Sequence, residues 1–476
     1  MKKNLNLFLL LCLQFNIYYF LIENSDNQTI RFAFALSRTG AHSPENVKYN
    51  TTTQIYKDLF NQNWTGPLEL TEVGKRQNFL LGYRHYLRYA KNNNLINSTY
   101  DPKEILIYSS DTNRTIQSSY AQMHGLYLKG QKLKPEVIKN AVPPVNSFYF
   151  SKENQELGDS ALPNDIVLVP VHLFYENDHT FLLEKIENCP KLKKFYYEII
   201  PNLDITKEYI INITNKYNLA ELIKREGSST TNEEIINNYN LFNDIIETII
   251  SNYYQSEYFT DKKFNNNFTI YDLLDDINNY LNSKSFGSVK DKYDDEVEIA
   301  KYANLATFDK LLNWMNKIIE KEINNITYSS YDAPKFVAYF SHDFSIYSFH
   351  VCLKKIFGIE QNIYTNFTSF INVELYRNNY EKNYNYTEDD FMVRYIFDEN
   401  EILTIEYKTF KDKIREYYQN IDEYNVKIFC EYESDDEKLK KKFNYYILAI
   451  VILTIIFIGL FMQAIHLYIN KGLSLN

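Results

Sequence analysis

Five side chains suited to binding an oxyanion stand directly after short apolar runs of this 476-residue chain: Arg38, His42, Arg114, His342 and Asp343. The planar guanidinium groups of two arginines can make paired, charge-assisted hydrogen bonds to the oxygens of a phosphate or carboxylate. A histidine beside them adds a further donor, and an aspartate can give a proton to a leaving oxygen. Taken singly, each residue could instead be a surface charge, and Asp343 could cap a helix. Together they predict an oxyanion site with acid–base capacity.

The apolar runs that precede these residues are 30–37, 105–108 and 336–340, and each has the pattern of a buried strand. Apolar residues at helical spacing predict a helix at 69–89. Strand, loop and helix repeated in this order indicate an α/β sheet, in which ligands bind beyond the carboxyl ends of the strands. We therefore expect the charged side chains to meet at one edge of the sheet, with His172 as an outer member of the set.

The segment from about 175 to 330 changes to helical spacing and denser charge. Apolar residues from Leu305 to Ile319 follow the i, i+3, i+4, i+7 pattern, which predicts an amphipathic helix whose stripe packs in a core rather than lining a binding groove. We interpret 175–330 as a mostly helical insertion that forms a cap over the site. The remaining residues, 24–174 and 331–442, would form the α/β core.

Composition narrows the classes of protein to which the chain can belong. It is 45% hydrophobic, which excludes a collagen, a coiled coil and full-length disorder. Its formal charge is −10 and its pI is near 5.5, so it lacks the basic face that nucleic-acid phosphates require. No metal or other cofactor is predicted, because the eight histidines show no ligand spacing.

Two apolar segments predict the topology. Lys2 and Lys3 precede an apolar run, which is typical of a secretory signal peptide at 1–23, although an uncleaved anchor or a buried first helix is the alternative. Residues 445–464 carry no charge and are long enough to span a bilayer as a helix, with 465–476 as a short cytosolic tail. The lysines between 438 and 442 oppose this orientation under the positive-inside rule. The signal peptide outweighs them, and we expect a single-pass type I protein with its ectodomain in the secretory or lysosomal lumen or at the cell surface.

Glycosylation sequons and cysteines agree with that topology. Every sequon precedes the predicted span: Asn27, Asn50, Asn63, Asn97, Asn113, Asn212, Asn267, Asn325, Asn366 and Asn385. Outside the signal peptide, three cysteines allow one disulfide and one free thiol. Cys352 lies on the apolar face of the helix predicted after His342, which favours a buried thiol there.

An ordered set of motifs resembles the histidine acid phosphatases, a branch of the histidine phosphatase superfamily whose first motif is R-H-G-x-R-x-P. The residues that carry the similarity are Arg38-Thr39-Gly40-Ala41-His42-Ser43-Pro44; Leu70-Thr71 with Gly74, Gln77, Leu81 and Gly82; Ser109 to Thr115; Pro170-Val171-His172; Asn188-Cys189-Pro190; and Tyr339 to Asp343. The C-terminal span is similar to the arrangement of lysosomal acid phosphatase within that family. Such colinear motifs extend over most of the predicted ectodomain.

The resemblance implies a phosphoglycerate-mutase-like sheet flanked by helices and a phosphomonoester ligand, and it favours a homodimer. Arg38 and Arg114 would hold the phosphate, His342 would be the second histidine, and Asp343 the proton donor. Cys189 and Cys430 resemble two family cysteines that form a disulfide. The family uses no metal or other cofactor.

Two departures fall in the first motif. Thr39 stands where the family has its nucleophilic histidine, and a threonine hydroxyl needs a neighbouring base to attack phosphorus. His42 replaces the second arginine of the motif and would contact phosphate without a bidentate fork. We therefore expect a retained phosphate pocket with catalysis lost or impaired. One alternative is an active acid phosphatase with an unusual nucleophile, including His42 displaced by three residues; another is an adhesion or receptor module on the same fold.

Overall fold

The computed structural model describes residues 28–44, 66–143, 151–173, 204–220, 230–254, 294–329, 332–379 and 384–419, without 362 and 364, together with isolated positions elsewhere. Within this part of the chain, seven strands form one sheet in the order β3-β2-β4-β1-β5-β6-β7. The strands are β1 (Gln28–Arg38), β2 (Ile105–Ser109), β3 (His172–Leu173), β4 (Phe336–Ser341), β5 (Phe370–Asn378), β6 (Phe391–Phe397) and β7 (Asn400–Glu406). The predicted strands at 30–37, 105–108 and 336–340 correspond to β1, β2 and β4.

The sheet has a parallel half and an antiparallel half. Strands β1, β2, β3 and β4 run parallel, whereas β5, β6 and β7 pair antiparallel to their neighbours. Since a parallel connection needs a crossover, helices return the chain between β1, β2 and β4. The sheet is thus mixed, with the predicted α/β pattern confined to its parallel half.

Helices cover the sheet and extend beyond it. Among the described residues they are α1 (Glu72–His85, continued by a π-helical stretch, Tyr86–Asn92), α2 (Asn113–Leu126), α3 (Ser151–Leu157), α4 (Asp204–Tyr217), α5 (Asn232–Asn237), α6 (Tyr239–Tyr253), α7 (Asp294–Asn324), α8 (Asp343–Phe357) and α9 (Tyr407–Tyr417). Short 3₁₀ turns occur at Pro135–Asn140, Pro163–Asp165 and Glu388–Asp390. The Thr71 side chain caps α1 by accepting from Gly74 N at 3.1 Å, and Gly358, in the left-handed conformation at φ 68°, ends α8.

Alternation along the central strand divides the core into two layers. Phe32, Phe34 and Leu36 of β1 pack with α7, α8 and α9 on one face of the sheet. Ala33 and Ala35 face the opposite layer, where α1 and α2 lie. Because successive strand side chains point to opposite faces, the eleven residues of β1 support both layers. The result is a sheet flanked by helices, as the sequence predicted.

Helix α7, which falls within the predicted cap segment 175–330, packs against the sheet. Its apolar residues, including Leu311, Met315 and Ile318, are buried in the same layer as β1 and β4. The stripe therefore packs in a core, as predicted, but this core is that of the sheet. Helical spacing shows that a helix is amphipathic, but it does not show which layer the apolar face contacts. Periodicity alone therefore could not distinguish α7 from the other helices of the segment 175–330.

A separate apolar cluster joins α4, α5 and α6. Buried residues such as Ile213, Phe242, Ile245 and Ile249 form this cluster, to which no residue of the sheet contributes in the described part of the chain. These helices fall inside the predicted insertion and have a core of their own.

The predicted terminal segments are not described. Residues 1–27 and most of 445–464 lie outside the described residues, so the signal peptide and the membrane span stay predictions. In the portion that is described, no helix combines the length and apolar character needed to cross a bilayer.

Candidate functional site

Register along the parallel strands brings the predicted residues to one edge of the sheet. Arg38, the last residue of β1, pairs with Ser341 at the end of β4, and Ser109 of β2 pairs with Phe340. The loops that carry the charged side chains therefore leave the sheet side by side, at the carboxyl ends of β1, β2 and β4. Helices α2 and α8 begin at this edge, so Arg114 and Asp343 lie in their first turns.

The loop after β1 is fixed by close contact with α1. A methyl group at Gly40 would lie 2.3 Å from Gly74 O, and one at Gly74 would lie 2.2 Å from Ala41 O. Thr71 Oγ1 donates to Ala41 O at 2.7 Å, while Ala41 N donates to Gln77 Oε1 at 2.9 Å. Only glycines permit backbones to approach so closely, and the loop from 39 to 43 is held rigidly as a consequence.

Arg38 is held on three sides. Its Nη1 donates to Thr365 O at 2.6 Å, and its guanidinium lies 4.8 Å from the ring centroid of Phe367. Its Nη2 lies 3.6 Å from Asp343 Oδ2. The guanidinium has five N–H groups, and these contacts leave donors available for a ligand.

Arg114 and His342 form the second contact pair. Arg114 Nη2 lies 3.3 Å from His342 Nδ1. A guanidinium has no acceptor, so His342 Nδ1 accepts and the proton of the neutral ring is on Nε2. Burial, followed by the positive charge of Arg114, lowers the pKa of His342 to about 4. Above that pH the ring is neutral and presents an Nε2–H donor.

His42 is buried and has the opposite tautomer. Its Nδ1 lies 2.9 Å from the Ser43 carbonyl oxygen, which only accepts, so Nδ1 carries the proton and Nε2 keeps a lone pair. Its ring meets that of Phe367 edge to face, with centroids 4.9 Å apart. Burial lowers the pKa of His42 to about 3, and the charges of Arg114 and Arg38 act in the same direction.

Asp343 is the acidic member of the site. Desolvation by its surroundings acts to raise its pKa, but the charges of Arg38 and His342 outweigh this effect and hold the pKa below its usual range. Because 57% of the side chain is exposed, desolvation has the smaller effect on this pKa. Asp343 Oδ1 also accepts from Phe344 N at 2.8 Å, so the aspartate both faces Arg38 and accepts from an amide in the first turn of its own helix.

Thr39 directly follows Arg38 in the loop after β1, at the position that the first motif predicts for the nucleophile. The residue is 2% exposed, and its carbonyl oxygen accepts from Thr368 N at 2.9 Å. Within the described residues, no side chain accepts a hydrogen bond from Thr39 Oγ1. His42, the nearest histidine in sequence, directs Nδ1 to Ser43 instead. Among the described residues, the threonine hydroxyl therefore has no hydrogen-bonded base.

The remaining sequence-predicted residues lie apart from this constellation. His172 begins the edge strand β3, is exposed, and contacts Tyr108 with ring centroids 5.7 Å apart. It makes no hydrogen bond to the other site residues in the part of the chain that is described. Cys189 is buried and disulfide-bonded, and Cys352 is a buried free thiol, as predicted. Cys430 lies outside the described residues, so its pairing with Cys189 stays a prediction.

Sequence reasoning missed the loop that supports Arg38. This loop, 365–369, supplies the Thr365 carbonyl and the buried Phe367 ring. Tyr254, at the end of the helical segment α4 to α6, reaches the same loop: its hydroxyl donates to Asn366 Oδ1 at 2.9 Å, and its ring lies 5.3 Å from that of Phe367. Carbonyls and apolar rings have no motif of their own, and Tyr254 and Phe367 are 113 residues apart, so only the fold reveals them.

Similarity to known proteins covers the whole of this site. Residues 19–398 match the family described as the histidine phosphatase superfamily (branch 2), which spans β1 to the end of β6. A lysosomal acid phosphatase of Xenopus laevis is 26% identical over 194 residues, which are 40% of this chain and 36% of that protein. The chain thus matches little more than a third of that relative's length.

Solved structures to which the chain is similar include two phytases. That of Citrobacter braakii has a TM-score of 0.47 and 14% identity, over 82% of this chain and 98% of its own. That of D. castellii has a TM-score of 0.49 and 13% identity, over 84% of this chain and 82% of its own.

Proposed function

Since this chain belongs to branch 2 of the histidine phosphatase superfamily, we propose that it is a membrane-anchored member that binds phosphate monoesters and whose phosphatase turnover is lost or strongly impaired. One observation carries the proposal: Arg38, Arg114, His342 and Asp343 converge at one sheet edge, while in the described part of the chain the Thr39 hydroxyl has no hydrogen bond to a base.

The binding half of the proposal rests on the donors of the site. Arg38 and Arg114 supply two positive charges, and His342 supplies an Nε2–H. Charge-assisted hydrogen bonds of this kind are about twice as strong as neutral ones, and guanidinium forks match phosphate geometry. The first turns of α2 and α8 point the positive ends of two helix dipoles at the same edge.

The impaired-catalysis half rests on Thr39. An alcohol is a weak nucleophile unless a base removes its proton, and no described residue accepts that proton. A phosphothreonine formed there would also hydrolyse slowly. If the nucleophile contributes even part of the usual acceleration of ~10⁶-fold or more, its loss reduces turnover to a negligible rate.

The tautomer of His42 favours a second candidate, an active acid phosphatase with a displaced nucleophile. Its Nδ1–H is held by Ser43 O, so Nε2 keeps the lone pair that a nucleophile needs. A low pKa keeps that lone pair free at acidic pH. Against it stands the three-residue shift from Thr39, which moves the side chain by several ångströms from the in-line position that phosphoryl transfer requires.

Hydrolysis of p-nitrophenyl phosphate from pH 4 to 7 by the purified full-length chain tests both candidates. We expect no turnover by the wild type and measurable turnover by Thr39→His, because that variant places an imidazole at the nucleophile position of an intact pocket. Wild-type activity that both His42→Ala and Asp343→Ala abolish, with phosphohistidine trapped at residue 42, would establish the second candidate. Activity that survives in His42→Ala would exclude His42 as the nucleophile.

We also propose that residues 445–464 anchor the protein in the membrane, with the site on the lumenal or extracellular side. The uncharged length of this segment, the apolar N-terminus and the disulfide at Cys189 support this topology. Extraction of membranes at alkaline pH tests the anchor, since an integral protein stays in the pellet. Glycan removal and disulfide mapping to Cys430 test the side of the membrane; a fully reduced, unglycosylated chain would contradict it.

A further inference from the structure

The two site histidines offer a ligand opposite hydrogen-bonding groups. His342 is held by Arg114 in the form that carries its proton on Nε2, and it therefore offers a donor. His42 is held by Ser43 in the form that carries its proton on Nδ1, which leaves Nε2 as an acceptor. Within the described residues, no group donates to His42 Nε2. Arg114 can only donate and the Ser43 carbonyl can only accept, so each neighbour fixes the tautomer of its histidine. The fold itself therefore sets the difference between the two rings.

Asp343 adds a second acceptor on the same side of the sheet. Its Oδ2 lies 3.6 Å from Arg38 Nη2, and more than half of its side chain is exposed. The charge of Arg38 keeps it ionised in mildly acidic solution, where a carboxylate only accepts. The site thus combines two guanidiniums, one carboxylate and two neutral imidazoles, with a formal charge of +1.

We propose that this site, taken as the phosphate site of the proposed function, selects the protonated monoanion of a phosphate monoester over its dianion and over sulfate esters. The P–OH group of the monoanion donates its single hydrogen bond to one of the two acceptors, Asp343 or His42. Its unprotonated oxygens accept from Arg38, Arg114 and His342. A single negative charge on the ligand also neutralises the site.

The rejected ligands fail for different reasons. A phosphate dianion sets an unprotonated oxygen against an acceptor and leaves an excess negative charge. A sulfate monoester has the same charge as the phosphate monoanion and a similar shape, but it has no proton, so neither acceptor of the site receives a hydrogen bond from it. An acceptor that the bound ligand covers and leaves unpaired weakens binding by roughly tenfold or more.

Three other titratable groups lie near the site, and their titration must be distinguished from that of the ligand. Tyr254 approaches Arg38 from the helical segment, and burial raises its pKa, so it stays neutral. Glu69 accepts from Asn113 Nδ2 at 2.7 Å, next to Arg114. Asp398 accepts from Ser369 Oγ and Phe370 N behind the Arg38 loop, and burial raises its pKa to about 6. Since Asp398 titrates near the same pH as a phosphate monoester, Asp398→Asn is the necessary control.

Calorimetric titration of the full-length chain with methyl phosphate and with methyl sulfate, at pH 5 and pH 8, tests the proposal. The second pKa of a phosphate monoester is about 6, so the monoanion is about 100-fold scarcer at pH 8 than at pH 5. We expect methyl phosphate to bind about 100-fold more weakly at pH 8. Methyl sulfate should bind at least ~10-fold more weakly than methyl phosphate at pH 5. Release of inorganic phosphate is followed in parallel so that turnover is not taken for binding.

Variants assign the discrimination to the acceptors. Asp343→Asn introduces an amide that can donate, and we expect the preference for methyl phosphate over methyl sulfate at pH 5 to fall to within ~3-fold. Asp398→Asn should keep both the preference and the pH dependence of the wild type. Loss of the pH dependence in Asp398→Asn would assign it to that carboxylate and overturn the proposal.

The outcomes separate this inference from the proposed function. Equal binding of methyl phosphate at both pH values, or equal binding of methyl sulfate and methyl phosphate at pH 5, overturns the selection of the monoanion while leaving an oxyanion site. An unchanged preference in Asp343→Asn overturns the role of Asp343 as an acceptor. If methyl phosphate binds at neither pH 5 nor pH 8, the proposed function and the inference are both rejected.

Discussion

Acidification should destabilise the folded chain through His42. Burial lowers the pKa of this residue from 6.5 to about 3, so the unfolded chain binds a proton there that the folded chain does not. The free energy of unfolding therefore rises with pH between about 3 and 6.5. The loss of stability due to His42 is absent above pH 6.5 and grows as the pH falls toward 3. At pH 4 the difference spans two and a half pH units, which corresponds to about 3 kcal/mol.

The variant His42→Asn removes this penalty while conserving the local contact. The amide nitrogen of asparagine can donate to Ser43 O as Nδ1 does, but asparagine cannot be protonated. The ring contact with Phe367 is lost, which lowers stability at every pH and does not affect its pH dependence. We expect the wild type to lose about 3 kcal/mol more than His42→Asn between pH 7 and pH 4.

Urea unfolding of the full-length chain at the two pH values measures the difference. Trp314 is buried in the same core layer as Phe32 and reports on unfolding of that core through its fluorescence. His172→Asn, at an exposed site on β3, is the matched control and should behave as the wild type. Equal loss of stability in the wild type and in His42→Asn would refute the assignment of a depressed pKa to His42.

Two further predictions concern the supports of the site. Gly74→Ala should lower the free energy of unfolding by about 2 kcal/mol or more, because its methyl group would lie 2.2 Å from the Ala41 carbonyl oxygen. Gly66→Ala is the control, since its methyl group would meet only the Glu69 side chain, at 3.2 Å. Equal thermal denaturation temperatures of the two variants would contradict this prediction. Burial raises the pKa of Asp398 to about 6, so the stability it contributes below its unfolded pKa is lost as the pH rises through 6. Asp398→Asn should therefore remove a fall on the order of 2–3 kcal/mol between pH 4 and 7, and an unchanged pH profile in urea unfolding would sink the prediction.

The parallel half of the fold could be predicted from the sequence. Runs such as 336–340 are short, apolar and followed by a polar loop, and their strands end within one or two residues of the predicted positions. The motifs that carry Arg38, Arg114 and His342 follow the carboxyl ends of these strands. Parallel strands present those ends at one edge of the sheet, so the convergence of the three side chains could be predicted.

The antiparallel half and the loop 365–369 could not be predicted in the same way. Strands β6 and β7 are joined by a turn in which Asp398 and Glu399 adopt positive φ without any glycine, so the usual hairpin signal is missing. The role of Phe367 depends on contacts with Arg38, His42 and Tyr254, which no local pattern encodes. For α7, periodicity predicted the helix and its buried stripe but not the layer into which the stripe packs.

The strand order has a consequence for how the chain folds during synthesis. Strands β1 and β2 are not neighbours, since β4 lies between them and pairs with both. β4 is separated from β1 by some 300 residues, so loop closure over most of the chain precedes the pairing that joins the two halves of the site. Until β4 has left the ribosome, the apolar edges of β1 and β2 lack their partner and are exposed to aggregation. Chains that end before residue 336 should therefore depend on chaperones and contain no assembled oxyanion site.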